Sequence, residues 1–244
     1  TIKSIIKKAT NAWGFDKKIE VTLETNPSSS SKEKFQEFKN AGVNRISIGV
    51  QSFNDTELNF LGRNHSSLTA KNTILEASKI FKHLSIDLIY ALPNHTSKSW
   101  GDNLKEVLNF INDTQCNHMS CYQLTIENNT PFKIKHSQGR LILPKDKLAS
   151  ELYQLTNTIL GENGMDAYEV SNYANDRNLC NHNLHIWNGG NYVGIGPGAH
   201  GRIIKNKKFY GTFKPKSPSQ WHNKLENNDF FFSKDEIIPN HLRA

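Results

Sequence analysis

The sequence has no run of about 20 consecutive apolar residues, which is the length that a membrane-spanning helix needs. Its first residues, TIKSIIKKATNAW, lack the apolar core of a secretory signal peptide. Only three cysteines occur among 244 residues, too few and too unevenly spaced for a disulfide framework, which favours a reducing compartment. We therefore expect a cytoplasmic protein without a membrane span, whose contact with membranes is peripheral at most.

The composition is that of a folded chain, because hydrophobic residues make up 36% and charged residues 22% of it. The net charge of +7 would suit a nucleic-acid-binding protein. The lysines are scattered, however, apart from a group between positions 205 and 216, and asparagines are just as frequent among them. We predict no nucleic-acid partner. Because the first residue is threonine, we expect the chain to be a piece of a longer one.

Four strand patterns alternate with helical patterns along the first two thirds of the chain. The predicted strands are KIEVTLE (18–24), RISIGV (45–50), HLSIDLIYAL (83–92) and HMSCYQLTI (118–126), and the predicted helices span 32–42, 68–82, 99–111 and 145–162. Such alternation predicts parallel strands with right-handed crossovers, in an α/β sheet or barrel. The turn-rich segment 128–144 predicts a loop or hairpin, and 169–201, which is rich in Gly, Asn and His, predicts an irregular functional region.

Polar residues stand where each predicted strand ends, and ligands of parallel sheets bind at that edge. These residues are Glu24 with Asn26, Gln51 with Ser52, Asp87, and Tyr122 with Gln123 and Glu127. Their joint arrangement predicts a cavity for a polar small molecule. Structural alternatives remain, namely a helix cap for Glu24, a hydrogen-bond acceptor for Asp87 and a surface ion pair for Arg63.

Cys180, His182 and His185 form a C-x-H-x-x-H pattern, whose side chains suit a transition metal or a haem iron. A solvated loop is the alternative, and three ligands fall short of the four that a closed zinc site needs. The other two cysteines, Cys116 and Cys121, lie on or beside a strand and are predicted to be small buried hydrophobes.

The glycine-rich segment GGNYVGIGPGAHG (189–201) predicts either a close backbone approach or a tight turn that joins two strands. It is not a dinucleotide-binding fingerprint, because its glycines do not open a helix in a βαβ unit and a proline lies among them.

Seven sequence blocks carry a resemblance to a known family: TLETNP, GVNRISIGVQSFNDTELNFLGRNH, IDLIYALP, YQLTIENNTP, YEVSNYA, CNHNLHIW and YVGIGPGAHGR. Over residues 19–202 they resemble the radical S-adenosylmethionine (radical SAM) family of oxygen-independent coproporphyrinogen III oxidase-like proteins, and within it the HemW-type haem chaperone branch. The resemblance implies a partial (βα)6 barrel that encloses S-adenosylmethionine and a [4Fe-4S] cluster.

In that family the cluster is held by a C-x-x-x-C-x-x-C motif, which this chain does not contain. We expect the motif upstream of Thr1, so that the chain holds about four of the six barrel strands. Residues 1–130 would then be the C-terminal part of the barrel. Residues 131–244 would be a family-specific region with short strands, truncated before a further domain.

The resemblance also implies roles for individual residues. Glu24, Gln51, Arg63 and Asp87 match the family's S-adenosylmethionine contacts. The branch's HNxxYW signature, proposed to serve haem, falls on 182–187, with isoleucine in place of the tyrosine. His182 is then the expected axial ligand of the haem iron and Trp187 an apolar contact of the macrocycle, with His185 and Cys180 as competing ligands.

These residues predict a radical SAM protein that binds haem and delivers it to haem-dependent proteins. The alternatives are an oxygen-independent coproporphyrinogen III oxidase, which decarboxylates propionate side chains in porphyrin biosynthesis, and an inactive gene fragment. No residue is assigned a catalytic role, and whether the protein is an enzyme is left undecided between these readings.

Overall fold

Parallel strands separated by helices dominate the chain, as the sequence predicts. The computed structural model describes residues 1–15, 18–175, 178–205, 208–226 and 236–237. The chain divides into two compact units, Thr1–Leu179 and Cys180–Ala244. The elements of the first unit are α1 (Ile2–Trp13), β1 (Thr22–Thr25), α2 (Lys32–Ala41), β2 (Arg45–Gln51), α3 (Asp55–Phe60), α4 (Ser67–Ser78), β3 (His83–Tyr90), α5 (Ser97–Ile111), β4 (Cys116–Gln123), α6 (Pro131–Ser137), α7 (Asp146–Glu162), β5 (Asp166–Ala167) and β6 (Asn172–Ala174).

The first unit contains a six-stranded sheet in the order β1-β2-β3-β4-β6-β5. Strands β1 to β4 are parallel, which confirms the four predicted parallel strands. Strand β6 pairs antiparallel with both β4 and β5, two pairings that the sequence analysis does not predict. Strand β1 lies at one edge of this sheet, so among the described residues it pairs with a strand on one side only.

Apolar and polar side chains alternate along the central strands, so the sheet has two different faces. Ile46 and Ile48 of β2 and Ile86 of β3 are fully buried in the core. Helices α2, α4, α5 and α7 cover this apolar face and contribute core residues of their own, such as Phe35 and Leu104. The intervening residues of the strands are polar, and they point to the opposite face, which we call the polar face.

Local signals in the sequence set the helix ends. Ser31 caps α2 by accepting a hydrogen bond from the Lys34 amide, and Gly42 ends the helix with a left-handed φ of 111°, as the sequence predicts. Thr96 caps α5 in a capping box: its hydroxyl accepts a hydrogen bond from the Ser99 amide, and the Ser99 hydroxyl accepts one from the Thr96 amide. Each crossover helix therefore starts directly after the loop that follows its strand.

Two expectations for the first unit are wrong in detail. The segment 128–144 is not a loop or hairpin throughout, because α6 forms within it: Thr130 caps the helix through the Lys133 amide, and Pro131 occupies the first helical position, where no amide hydrogen is needed. Strand β1 begins at Thr22 rather than Lys18. The boundary expected at 130 stays a prediction; the first compact unit ends at Leu179.

The second unit contains α8 (Asn181–Trp187), β7 (His200–Lys205), β8 (Lys208–Phe213), α9 (Pro218–Glu226) and β9 (Glu236–Ile237), and its three strands form an antiparallel sheet. Before β7, the glycine-rich segment closes on itself. Tyr192 and Arg202 exchange two backbone hydrogen bonds of 2.8 and 2.9 Å, and a Cβ at Gly194 would overlap the backbone of His200. The close backbone approach that the glycines permit is therefore an approach within the chain.

The described helices include none that is long and apolar enough to cross a membrane. Cys116, Cys121 and Cys180 are buried, and none of them forms a disulfide with another described residue. Burial raises the pKa of the Cys116 thiol to about 12, and it raises that of Cys121 as well. Both strand cysteines are thus protonated, buried side chains, as expected.

A buried hydrogen bond between α5 and α7 gives a test of this packing. Trp100 donates from Nε1 to Thr156 Oγ1 at 2.8 Å, and both side chains are buried. Thr156→Val leaves the indole N–H without an acceptor, so we expect the free energy of unfolding to fall by about 1–3 kcal/mol. Urea denaturation followed by circular dichroism measures this loss.

The matched control is Thr158→Val, an exposed threonine on the same helix whose hydroxyl bonds only to the Gln154 carbonyl. This variant is expected to stay within about 0.5 kcal/mol of the unmodified chain. Equal losses in the two variants would contradict the assigned packing of α7.

Candidate functional site

A row of polar side chains crosses the polar face from β1 to β6. The strand register aligns Glu24 with Ser47, Asp87 with Ser120, and Ser120 with Asn172. Ser47 donates a hydrogen bond to Asp87 Oδ1 at 2.9 Å, and Ser120 donates to Asn172 Oδ1 at 2.7 Å. The row joins two residues predicted from the sequence, Glu24 and Asp87, to three that were given no role.

Asp87 is the electrostatic centre of this row. Burial and, to a smaller extent, the negative charge of Glu24 raise the pKa of Asp87 to about 6. Hydrogen bonds from Ser47 and Ser120 act in the opposite direction. A buried carboxylate whose ionisation is disfavoured by a neighbouring negative charge is stabilised by a cation placed beside it. The polar face is therefore suited to a positively charged ligand.

The row continues beyond Asn172 to a third carboxylate. Asn172 donates through Nδ2 to Glu169 Oε1, and the Ser171 amide donates to the same oxygen at 3.0 Å. Tyr122 stands nearby on β4, and its burial, together with the charge of Asp87, raises its pKa to about 12. Tyr122 is thus a protonated hydrogen-bond donor at neutral pH. Glu169 and Asn172 lie in the block YEVSNYA, but the sequence alone predicts no function for either residue.

Gln51 ends β2 in an unusual conformation. Its φ of 70° is left-handed, a region that side-chain-bearing residues rarely adopt, and the residue is buried. A Cβ at Gly49 would lie 2.7 Å from Gln51 Nε2 and 3.3 Å from Asn26 Oδ1. Glycine at position 49 therefore makes room for the two amides on the polar face. Gln51 and Asn26, both predicted from the sequence, are brought together there.

Arg63 follows α3, and its amide donates to the Leu58 carbonyl at 2.9 Å. Its Nε atom is buried and, among the residues that the structure describes, has no hydrogen-bond partner. A surface ion pair, the alternative expected from sequence, is absent from the same set of residues. The structure brings Glu24, Asp87 and Gln51 to one face of the sheet, while the convergence of Arg63 on one cavity with them stays a prediction.

The remaining strand-end residues lie elsewhere. Gln123 lines a cavity of about 400 Å³ together with Tyr90 of β3 and Asp146 of α7, and it is therefore not part of the polar row. Glu127 is exposed in the turn before α6, where its carbonyl accepts from the Thr130 hydroxyl. Ser52 donates to Glu57 Oε2 at 2.5 Å.

In the second unit, the C-x-H-x-x-H pattern starts a short helix. His182 is exposed at the beginning of α8, and its Nδ1 lies 3.1 Å from Cys180 Sγ. His185 follows on the same side of the helix, where its Nε2 donates to the Asn191 carbonyl at 2.7 Å. Trp187 is about half exposed at the end of α8. At 100° per residue it stands about 140° around the helix from His182.

The chain is similar to proteins of one superfamily. The radical SAM superfamily description matches residues 1–107. "Radical S-adenosyl methionine domain-containing protein 1, mitochondrial" of Danio rerio is 39% identical over 205 residues, covering 84% of this chain and 45% of that protein. "Heme chaperone HemW" of Buchnera aphidicola subsp. Acyrthosiphon pisum is 36% identical over 243 residues, covering 98% of this chain and 62% of that protein.

Among solved structures, coproporphyrinogen III oxidase (HemN) from Escherichia coli superposes with a TM-score of 0.69 at 19% identity, covering 92% of this chain and 54% of that one. This likeness shows a common fold. The chain spans about half the length of the curated relatives that it matches. By sequence blocks and relatives alike, the chain belongs to the radical SAM superfamily and is similar to proteins named HemW.

Proposed function

We propose that this chain is part of a haem chaperone, which binds haem and transfers it to haem-dependent proteins. The observation that carries the proposal is that the similarity to a protein named as a haem chaperone extends over nearly the whole chain, including both the polar face and α8. The cofactors proposed for the protein are S-adenosylmethionine, a [4Fe-4S] cluster and haem.

The polar face fits S-adenosylmethionine, a ligand with a sulfonium, an ammonium and a carboxylate group. Glu24 and Asp87 supply negative charge for the cationic groups, and the buried, unpartnered Nε of Arg63 suits the carboxylate. The Gln51 amide, in the space left by Gly49, suits the ribose hydroxyls. When bound to a reduced cluster, this cofactor supplies radical chemistry, whereas the chain's own residues bind and orient it.

The cysteines of this chain do not fit the cluster. Cys116 and Cys121 are buried on β4, and their raised pKa values keep the thiols protonated, whereas cluster ligands are thiolates. Their spacing with Cys180 also differs from C-x-x-x-C-x-x-C. No cluster ligand is assigned to this chain.

The haem proposal places the iron at His182. Its imidazole is exposed at the start of α8, whereas the Nε2 of His185 is already bonded to a backbone carbonyl and its ring fills the space beside Gly190. Trp187 offers half-exposed apolar surface, although it is on a different side of the helix, so it would contact a macrocycle edge rather than stack over the His182 ring.

The expected partners are proteins that accept haem, and the expected compartment is the cytoplasm. The coproporphyrinogen oxidase reading is not the one we favour, because its support is a shared fold at low sequence identity. The HNxxYW-like segment favours the chaperone instead.

The pKa of Asp87 predicts how cofactor binding depends on pH. Because a cationic ligand binds the ionised carboxylate better, and the pKa is about 6, affinity for S-adenosylmethionine should fall about tenfold between pH 7 and pH 5. Asp87→Asn should bind weakly at both pH values and lose this dependence. Equilibrium dialysis with radiolabelled S-adenosylmethionine measures both.

Asp102→Asn is the matched control, since Asp102 forms an exposed ion pair with Lys98 on α5. It should keep the affinity and pH dependence of the unmodified chain. A pH dependence that survives unchanged in Asp87→Asn would contradict the role of Asp87.

The two histidines of α8 give a second test. We expect haemin added to the chain to produce a ligated Soret band that His182→Ala abolishes and His185→Ala retains, because the Nε2 of His185 is engaged with Asn191. Absorption titration of the three proteins measures the band. Loss of the band in His185→Ala alone would move the ligand to that residue, and equal spectra in all three would remove α8 from the haem proposal.

A further inference from the structure

Three side chains from different segments converge on the carboxylate of Glu57. Ser52, after β2, donates to Oε2 at 2.5 Å. His95, after β3, donates to Oε1 at 3.0 Å, and Asn103 of α5 donates to the same oxygen at 3.3 Å. The His95 side chain is only 4% exposed and that of Glu57 17%. This cluster has no part in the site described above.

Glu57 is ionised in this setting. Burial acts to raise its pKa, but the hydrogen bonds from His95 and Ser52, the charge of His95 and the hydrogen bond from Asn103 together hold the pKa below its usual value. A shielded carboxylate that accepts hydrogen bonds from three donors is held firmly in one position. Removing the carboxylate leaves all three donors without this acceptor, whereas removing one donor leaves the buried charge with fewer hydrogen bonds.

The position of Glu57 links this firmly held carboxylate to the cofactor residues. Glu57 lies on α3, the short helix between Gln51 and Arg63. The carbonyl of the neighbouring Leu58 accepts a hydrogen bond from the Arg63 amide. The carbonyl of Glu57 accepts one from the Leu61 amide at 2.9 Å. At the other end, its carboxylate holds Ser52, which directly follows Gln51.

The backbone of Gln51 needs such support. A left-handed conformation is unfavourable for a side-chain-bearing residue, and it persists only where surrounding contacts impose it. The Ser52 hydroxyl provides two of these contacts, because it donates to Glu57 and accepts from the Asn54 amide at 2.9 Å. Glu57 thus contacts Ser52, the residue that directly follows the strained Gln51.

We propose that Glu57 is a positioning residue for S-adenosylmethionine: anchored by His95 and Asn103 of the next βα unit, it fixes the left-handed Gln51 through Ser52 and the end of α3 that carries Arg63. This inference rests on the proposed function of Gln51 and Arg63. It gives a role to a hydrogen-bonded carboxylate–imidazole pair, Glu57 and His95, outside the residues proposed to contact the ligand.

The test compares Glu57→Gln with the unmodified chain by two measurements. Equilibrium dialysis with radiolabelled S-adenosylmethionine should show about tenfold weaker binding. Hydrogen exchange should show faster amide exchange in residues 51–63 but unchanged exchange in β3 and β4, because only the anchored segment loosens. Faster exchange throughout the first unit would mean that Glu57 only stabilises the fold, and would overturn the proposal.

A second variant acts from outside the segment. Asn103→Ala leaves residues 51–63 intact and removes one donor to Glu57, so we expect about threefold weaker binding with the same local pattern of exchange. In the double variant Glu57→Gln with His95→Gln, a pair of amides replaces the carboxylate–imidazole pair, and we expect recovery of at least half of the lost affinity on a logarithmic scale. Unchanged binding in both single variants would overturn the proposal.

Glu106→Gln is the control, because Glu106 forms an exposed ion pair with Lys71 and should change neither measurement. If the unmodified chain binds no S-adenosylmethionine, the proposed function fails, and hydrogen exchange alone decides the inference. Loosening confined to 51–63 in Glu57→Gln then still supports the anchoring role, and unchanged or uniform exchange overturns it.

Discussion

The packing of one face of the sheet against four helices forces the polar residues of the same strands onto the other face, and the rest of the site depends on this constraint. Side chains alternate along a strand, so burying Ile46 and Ile48 under the helices leaves Ser47 on the polar face. In β3, the burial of Ile86 and Leu88 likewise leaves Asp87 on the polar face. A shift of one residue would exchange the two faces, so the core itself specifies where the carboxylates stand.

Within that frame, charge and hydrogen bonding decide what the polar face can hold. Burial and the charge of Glu24 oppose the ionisation of Asp87, while Ser47 and Ser120 orient the Asp87 carboxyl. The arrangement is poorly satisfied without a cation, which matches the sulfonium and ammonium groups of the proposed ligand. The loops after the strands then complete the site, and they require anchors of their own because they lie outside the sheet.

The sequence predicts the sheet well because its signals are local. RISIGV and HLSIDLIYAL show strand periodicity, and Gly42 stands at a helix end. The helix α6 is missed because its cap, Thr130–Pro131, also reads as a turn signal. Strands β5 and β6 are too short to carry any periodicity.

In the site, too, residues with a local sequence signal are predicted and those without one are missed. Glu24, Gln51 and Asp87 are found from sequence because parallel strands bring their ends to one edge. The Glu57 cluster is missed because two of its donors lie 38 and 46 residues away along the chain, in loops whose approach only the folded structure defines. Asn172 and Glu169 are missed for a related reason: their strand joins the sheet antiparallel, outside the predicted alternation.

The central claim is that the polar face binds a cation at Asp87. The pKa of the Asp87 carboxyl group tests this claim, and it is followed by the carbon-13 chemical shift of the carboxyl carbon with and without S-adenosylmethionine. The account predicts a pKa near 6 for the free chain, which falls by about one unit or more when the cofactor is added. A pKa near the ordinary aspartate value, or one that the cofactor leaves unchanged, would contradict it.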